Sequence, residues 1–323
     1  MSIKSSGSLS FTEIVAEWNG STPHSLSEYY SAGSLVYSGA ADGSGNAIPS
    51  SGAISFSDFY DTEAFVTTST VSIANATSTT VAVPSGANAI YIVSAFGAGG
   101  GGYRGADYDK AGGESAGAGG GGGAYAAGVY LTVTEGTNLS VVVGSQGSGT
   151  NRAVGGASIM YSGSAGSGTA TTIVNSSGTT ILSLGGGTGA SASGGGVQGP
   201  LRSNSAGSGG SASSATRLSS GTTTSGASVS TGTLANGSAG GNNGNCSGDN
   251  CRIGGSSGGN NGAGANGGSG GSSSGLGTAG GDGGTGGGGG GGAGQVTFDG
   301  SDAVTPGGDG GDGSLSYQFV RIS

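Results

Sequence analysis

From residue 64 onward, apolar and β-branched residues alternate with hydroxylated ones in short runs. Phe65-Val-Thr-Thr-Ser-Thr-Val-Ser-Ile and Thr79-Thr-Val-Ala-Val are of this kind, and the pattern predicts strands. Pro84-Ser-Gly then predicts a turn. Ala89-Ile-Tyr-Ile-Val-Ser-Ala-Phe reads as a buried strand that runs straight into Gly97-Ala-Gly-Gly-Gly-Gly. Further strands are predicted at 124–133, 139–143, 158–162, 171–174 and 179–184, with a last one in Leu315-Ser-Tyr-Gln-Phe-Val-Arg-Ile. Many short strands with polar turns predict a mainly β protein, an antiparallel β-sandwich or a close equivalent.

Residues 1–65 differ. They hold much of the aromatic and acidic content, including Phe11, Trp18, Tyr29, Tyr30, Phe56, Phe59 and Tyr60. Gly7-Ser-Leu-Ser-Phe-Thr-Glu-Ile is echoed by Gly52-Ala-Ile-Ser-Phe-Ser-Asp-Phe-Tyr, and Ser25-Leu-Ser-Glu-Tyr-Tyr between them reads the same way. A hydroxyl shortly before an acid suits the start of a helical turn. Short turns joined by loops are expected, without a large core. Those seven aromatics are then a docking surface for a partner, the alternative being a small self-contained unit.

Glycine supplies 82 of 323 residues, and its placement changes the picture. Read every third residue from Gly259 to Gly292, ten of twelve positions are Gly, the others being Ala265 and Ser274; the adjacent frames hold six and five. A period of three belongs to the extended left-handed helix of polyproline II type, which has no internal hydrogen bonds and needs lateral partners. With only 5 Pro, collagen is not expected. A polyglycine II-type bundle within one chain is expected over 185–294, against the bland alternative of a Gly/Ser linker. The division is then 1–65, a β-domain of 66–184 plus 295–323, and the insertion 185–294.

Charge narrows the partners. The net charge is −9 with eight Lys and Arg and no basic cluster, so nucleic acid is not an expected partner. No run of about 18 apolar residues exists to cross a membrane. Met1-Ser-Ile-Lys-Ser-Ser-Gly lacks the apolar core of a secretory signal, so export is not expected; a protein released by lysis would need none. Cys246 and Cys251 either close a small disulfide loop or stay free.

Catalysis finds little support, and neither cofactor nor metal is expected. The single His, His24, offers no relay with a serine and an acid. Asp107, Asp109 and Glu114 are the only loop cluster of acids, and glycine around them gives no apolar pocket to raise a pKa. Gly307-Gly-Asp-Gly-Gly-Asp-Gly resembles one copy of a calcium-binding repeat, but a single copy lacks its neighbours, and Asp-Gly turns are the preferred reading. Tyr103-Arg-Gly-Ala-Asp-Tyr-Asp-Lys stands out from the glycine around it. Tyr103, Arg104, Asp107, Tyr108 and Lys110 form a candidate receptor contact, rich in the residue types that dominate binding hot spots.

Ser25-Leu-Ser-Glu-Tyr-Tyr followed by Ile48-Pro-Ser-Ser-Gly-Ala-Ile-Ser-Phe-Ser-Asp-Phe-Tyr resembles a sequence widespread at the N-termini of tailed-bacteriophage virion proteins, over residues 3–62. From about residue 80 the chain resembles a glycine-rich β-domain of phage tail fibres. The resemblance implies a virion protein of tail-fibre or tail-tip type. Its N-terminal region would join other virion proteins, and its exposed domain would meet a host cell-surface glycan or protein, in a homotrimer as fibres often are. A purely structural decoration or connector, a glycan-cleaving tailspike and an ice-binding protein are the alternatives.

Overall fold

The computed structural model describes residues 3–18, 20, 22–31, 33, 35–36, 40–62, 67–74, 76–106, 117–150, 163–193, 203–221, 223, 228–241, 280–286 and 304–322. The protein is mainly β. One five-stranded sheet has the order Val71–Ala74, Ser314–Val320, Ala89–Phe96, Tyr125–Thr132, Thr233–Ala235. A second runs Ala212–Ser214, Thr180–Leu184, Thr171–Val174, Asn138–Val142, Ser78–Ala82. Every pairing in both is antiparallel. The alternation that predicts the strands also sorts their faces: along Asn138–Val142 only Leu139 and Val141 are buried. They join Ile173, Leu182 and Leu184 of the same sheet in one cluster with Ile90, Ile92, Val129, Leu131, Leu315 and Phe319 of the other. Each such side chain contributes roughly 1.5–3 kcal/mol by leaving water.

Most predicted strands are present within a residue or two; the one expected at 158–162 lies outside the described residues. The first begins at Val71, and before it Thr68 extends the edge, its N–H donating to the Phe319 carbonyl at 3.1 Å. The stretch 185–294 is not a single excursion. Ala212–Ser214 pairs with Thr180–Leu184, and Thr233–Ala235 pairs with Tyr125–Thr132. These edge strands are short and built from Ser, Ala and Thr, with Leu234 alone as a large apolar residue, so they carry almost no alternation to read.

At one end of the sheets the strands continue as glycine-rich segments, and their backbone hydrogen bonds acquire a period of three. In 97–103, Gly97, Gly100 and Tyr103 donate to Ala124, Gly121 and Ala118. Ala98 and Gly101 donate to Thr169 and Gly166, and Gly99 and Gly102 to Gly311 and Gly308. Successive residues therefore address three different neighbours, and two further segments donate back, Gly147 to Gly99 and Gly187 to Ala98. Gly280, Gly283 and Gly286, the described members of the glycine frame read from the sequence, donate to Pro306, Asp309 and Asp312 at 3.0, 2.9 and 2.8 Å.

The register of the strands passes into these segments unbroken. Ile92 faces Val129 and Ser94 faces Ala127; the same antiparallel register continues as Gly97 with Ala124 and Gly100 with Gly121. Thr171 faces Leu184, and onward Gly168 donates to Gly187 and Ala165 to Ala190. What changes is the third dimension. The sheets hold side chains between them, but beyond Phe96 the two layers bond through their backbones, as in Gly101 to Gly166 at 2.9 Å and Gly121 to Thr188 at 3.0 Å. A Cβ at Gly100 would run into the Thr188 carbonyl, and one at Gly121 into that of Ser208. Segments 97–102 and 117–124 are wholly buried and consist only of Gly and Ala. Outer segments place Ser, Thr, Gln or Asp at exposed points, such as Gln146, Ser148, Ser167 and Thr188.

Outer N–H groups that meet no carbonyl are satisfied by side chains. Asp309 Oδ1 accepts from Gly149 N–H at 2.7 Å, Asp312 Oδ1 from Gln146 N–H at 2.9 Å, and Asp282 Oδ1 from Asp309 N–H at 2.9 Å. This corrects the reading of Gly307–Gly313 as Asp-Gly turns. Residues 306–313 form no turn, and their aspartates recur every third residue because the donors they serve do. Gly100→Val and Gly121→Val should each lower stability by at least about 1–3 kcal/mol, the scale for overpacking an interior, whereas Gln146→Val should leave the thermal midpoint nearly unchanged. Equal midpoints for all three would contradict the packing described.

Candidate binding site at the far end of the glycine segments

Chain direction places 103–106, 148–150, 163–165, 190–193, 203–206, 241, 280 and 304–306 at the end of the segments remote from the sheets. Two small ribbons close this end: Gly105–Ala106 pairs with Val304–Thr305, and Ser191–Ser193 lies between Ser203–Ser205 and Gly163–Ser164. Tyr103 is buried against Ala118 and Ala190, a small apolar plug among glycines. Arg104 is half-buried; its guanidinium carbon lies 5.9 Å from the centre of the Tyr103 ring, and its backbone N–H donates to Thr150 Oγ1 at 2.7 Å. Beside them opens a recess of 250 Å³ lined by Tyr103, Arg104, residues 148–150 and residues 163–166.

Of the candidate receptor contact, Tyr103 and Arg104 thus meet at one recess, but Tyr103 is an interior residue and not a presented one. Asp107, Tyr108 and Lys110 lie outside the described residues, as do Asp109, Glu114, Cys246 and Cys251. Ser148, Thr150 and Ser164 escape sequence reasoning because hydroxylated residues are scattered through the whole chain. Among the described residues no group of three His, Cys, Asp or Glu could hold a metal ion, and no helix is long and apolar enough to cross a membrane.

At the opposite end sits the N-terminal unit, and three equivalent turns build it. Ser10 and Glu13, Ser25 and Glu28, and Ser55 and Asp58 each place an acid three residues after a serine. The carboxylates accept from the serine N–H groups at 2.8, 2.7 and 2.8 Å. Helix Phe11–Trp18 and the two 3-10 turns Leu26–Tyr29 and Phe56–Phe59 start at these boxes. Four positions after each serine stands a fully buried residue, Ile14, Tyr29 or Phe59. With Ile3, Trp18, Val36, Ala40 and Ile48 they form a core of their own, and Trp18 Nε1 donates to Thr62 Oγ1 at 3.2 Å.

The expectation that so short a segment cannot hide its aromatics is therefore corrected. Trp18, Tyr29 and Phe59 are interior; Phe11, Tyr30 and Tyr60 are half-buried; only Phe56 is exposed. The Tyr60 hydroxyl donates to the Gly7 carbonyl and that of Tyr30 to Gly52, tying one turn to the entry of another. Arg321 joins this unit to the sheets: buried, it donates to the carbonyls of Gly33 and Gly86, both at 3.2 Å. Comparison with protein-family models and with curated proteins finds no match.

Glu13 collects the Lys4 ammonium at 2.7 Å and both the N–H and the hydroxyl of Ser10 at 2.8 Å. The Lys4 hydrogen bond, followed by those of Ser10, holds its pKa down from 4.5 to about 2. Because the folded value lies below the ordinary one, its contribution is complete above pH 4.5 and is lost as the pH falls towards 2. Trp18 is the only tryptophan and reports this core. Thermal midpoints followed by its fluorescence should fall between pH 4.5 and 2, and fall less in Glu13→Gln. The same fall in both proteins would remove Glu13 from the account.

Proposed function

We propose that the chain is a non-enzymatic virion protein of a tailed bacteriophage, a tail-fibre or tail-tip component that attaches the particle to the host surface. In this reading the two sheets form a β-sandwich, and the glycine segments form a polyglycine II bundle standing on its end. The observation that carries the proposal is the separation of the two ends. The N-terminal unit, whose sequence resembles those of virion proteins, is fixed by Arg321 beside the Pro84–Ala87 turn. Segments 97–103, 144–150, 185–190 and 236–241 run away from it and 117–124, 165–170, 206–211 and 280–286 run back, so four connections begin and end at the far end. A scaffold whose chain reversals all fall at the end remote from the N-terminal unit suits recognition of a surface glycan or protein, since binding residues concentrate on connections carried by rigid scaffolds.

The buried position of Tyr103 favours a second reading, a structural decoration or connector of the particle whose tip binds nothing. Either role places the chain in the virion through its N-terminal unit. A chain lacking residues 1–62 should fold, since the sheets share a core separate from the N-terminal one, but should no longer join particles. Its incorporation at normal copy number would overturn the proposed docking. Antibodies to the far end that block adsorption would separate attachment from decoration.

A further inference from the structure

A molecule gripped at its two ends carries tension between them, and the chain's course decides which bonds that tension meets. The chain leaves the N-terminal unit after Thr62 and enters the edge strand Val71–Ala74, whose one partner strand among the described residues is Ser314–Val320. That partner comes from the other end. Residues 306–313 run from the far end into Ser314 and are held along their length: Gly307 donates to Thr150, Gly310 to Gly147 and Gly313 to Gly144, at 3.2, 2.8 and 2.9 Å.

The pairing is antiparallel, with Val71 opposite Tyr317, Ser72 opposite Ser316, Ile73 opposite Leu315 and Ala74 opposite Ser314. A pull on the N-terminal unit draws Val71–Ala74 towards that unit. A pull on the far end draws Ser314–Val320 the other way along the same axis. The hydrogen bonds of an antiparallel ladder lie perpendicular to its strands. Opposed pulls along the strands therefore load them together, whereas a pull across the strands opens them one after another. Side chains reinforce the ladder. Thr68 N–H donates to the Phe319 carbonyl at 3.1 Å, Phe319 N–H donates to Thr68 Oγ1 at 2.9 Å, and the Ser72 and Ser316 hydroxyls meet at 2.8 Å.

Resting on the attachment reading, which supplies the opposed pulls, we propose that the pairing of Val71–Ala74 with Ser314–Val320 is a mechanical clamp. It holds when particle and host surface are drawn apart along the molecule, and it opens under a sideways pull. It is also the joint that yields first: it has four residue pairs, against seven between Ser314–Val320 and Ala89–Phe96. The partner strand stays in place meanwhile, because its C-terminal end is fastened. Asn88 Nδ2 donates to the Ile322 carbonyl and Asn88 Oδ1 accepts from Ile322 N–H, both at 2.8 Å. Arg321 ties the same end to the Gly33 carbonyl of the N-terminal unit, which keeps a pull on that unit in line with the strands.

Single-molecule force spectroscopy on the full chain, with Cys246 and Cys251 replaced by serine, tests this. One molecule carries its handles at Ser69→Cys, exposed just before the edge strand, and at Ser148→Cys, exposed at the far end. Another carries them at Ser69→Cys and Ser323→Cys, the second being next to Ile322, so that the same ladder is pulled open from one end. Rupture under force reports the barrier along the direction of pull. The first event in the Ser69–Ser148 molecule should need about twofold or more the force of the first event in the Ser69–Ser323 molecule, because several bonds share the load in one direction and meet it singly in the other. Unchanged thermal midpoints confirm that both molecules are folded. Equal forces in the two directions, or a lower force along the strands, would overturn the clamp. That failure, in a chain located at the tail tip by electron microscopy, leaves attachment standing; the expected ratio in a chain absent from particles would overturn attachment alone.

Discussion

The contact between backbones across two layers is what the rest of the molecule depends on. In the sheets, Ile90 and Leu131 of one layer meet Leu139 and Leu184 of the other in a shared hydrophobic cluster. Past Phe96 and Leu184 the same chains run on with almost only glycine and alanine until the Tyr103–Ala118–Ala190 cluster, and the layers bond directly, Gly187 donating to Ala98 at 2.8 Å. At most of the glycines there space requires it: at Gly100, Gly121 and Gly187 a neighbour's carbonyl occupies the point where a Cβ would sit. Backbone hydrogen bonds replace the hydrophobic core, which explains how a chain with only 32% apolar residues can be folded over such a length.

This constraint also explains the division of labour along the molecule. Glycine segments that bond to one another through their peptide groups leave little room for binding chemistry between them. Side chains collect on the outer faces, where aspartates and threonines complete the bonding, and at the far end, where Tyr103, Arg104 and Thr150 stand together. The opposite end needs conventional packing, and there the aromatic residues return. Arg321 couples the two kinds of construction, its guanidinium satisfying one carbonyl from each.

Much of this was legible in the sequence, and the illegible parts have a common cause. The strands around Ile90, Leu139, Ile173 and Leu182 are announced by alternation because one face is buried. The three-residue frame through Gly280, Gly283 and Gly286 announces lateral bonding because those three residues serve one neighbour. The frame points to a single insertion, yet glycine segments adjoin strands of both sheets; in 97–102 and 117–124 nearly every position is Gly, so no frame stands out from the others. Asp309 and Asp312 suggested turns since Asp-Gly commonly makes them, and only their partners Gly149 and Gln146, far away in the chain, reveal an acceptor role. The N-terminal core was missed because Ile14, Tyr29 and Phe59 are brought together by three separate turns, each too short to show a hydrophobic period.

Amide hydrogen exchange of the full chain, resolved to individual residues, tests the central claim most directly. Groups bonded backbone to backbone and buried exchange only when the structure opens. The account predicts that the amides of Gly100, Gly101, Gly121 and Gly122 are protected as strongly as those of Ile90 and Ile92 in the adjoining strand. Exchange of these glycines at the rate of an unstructured chain, with Ile90 and Ile92 still protected, would contradict it.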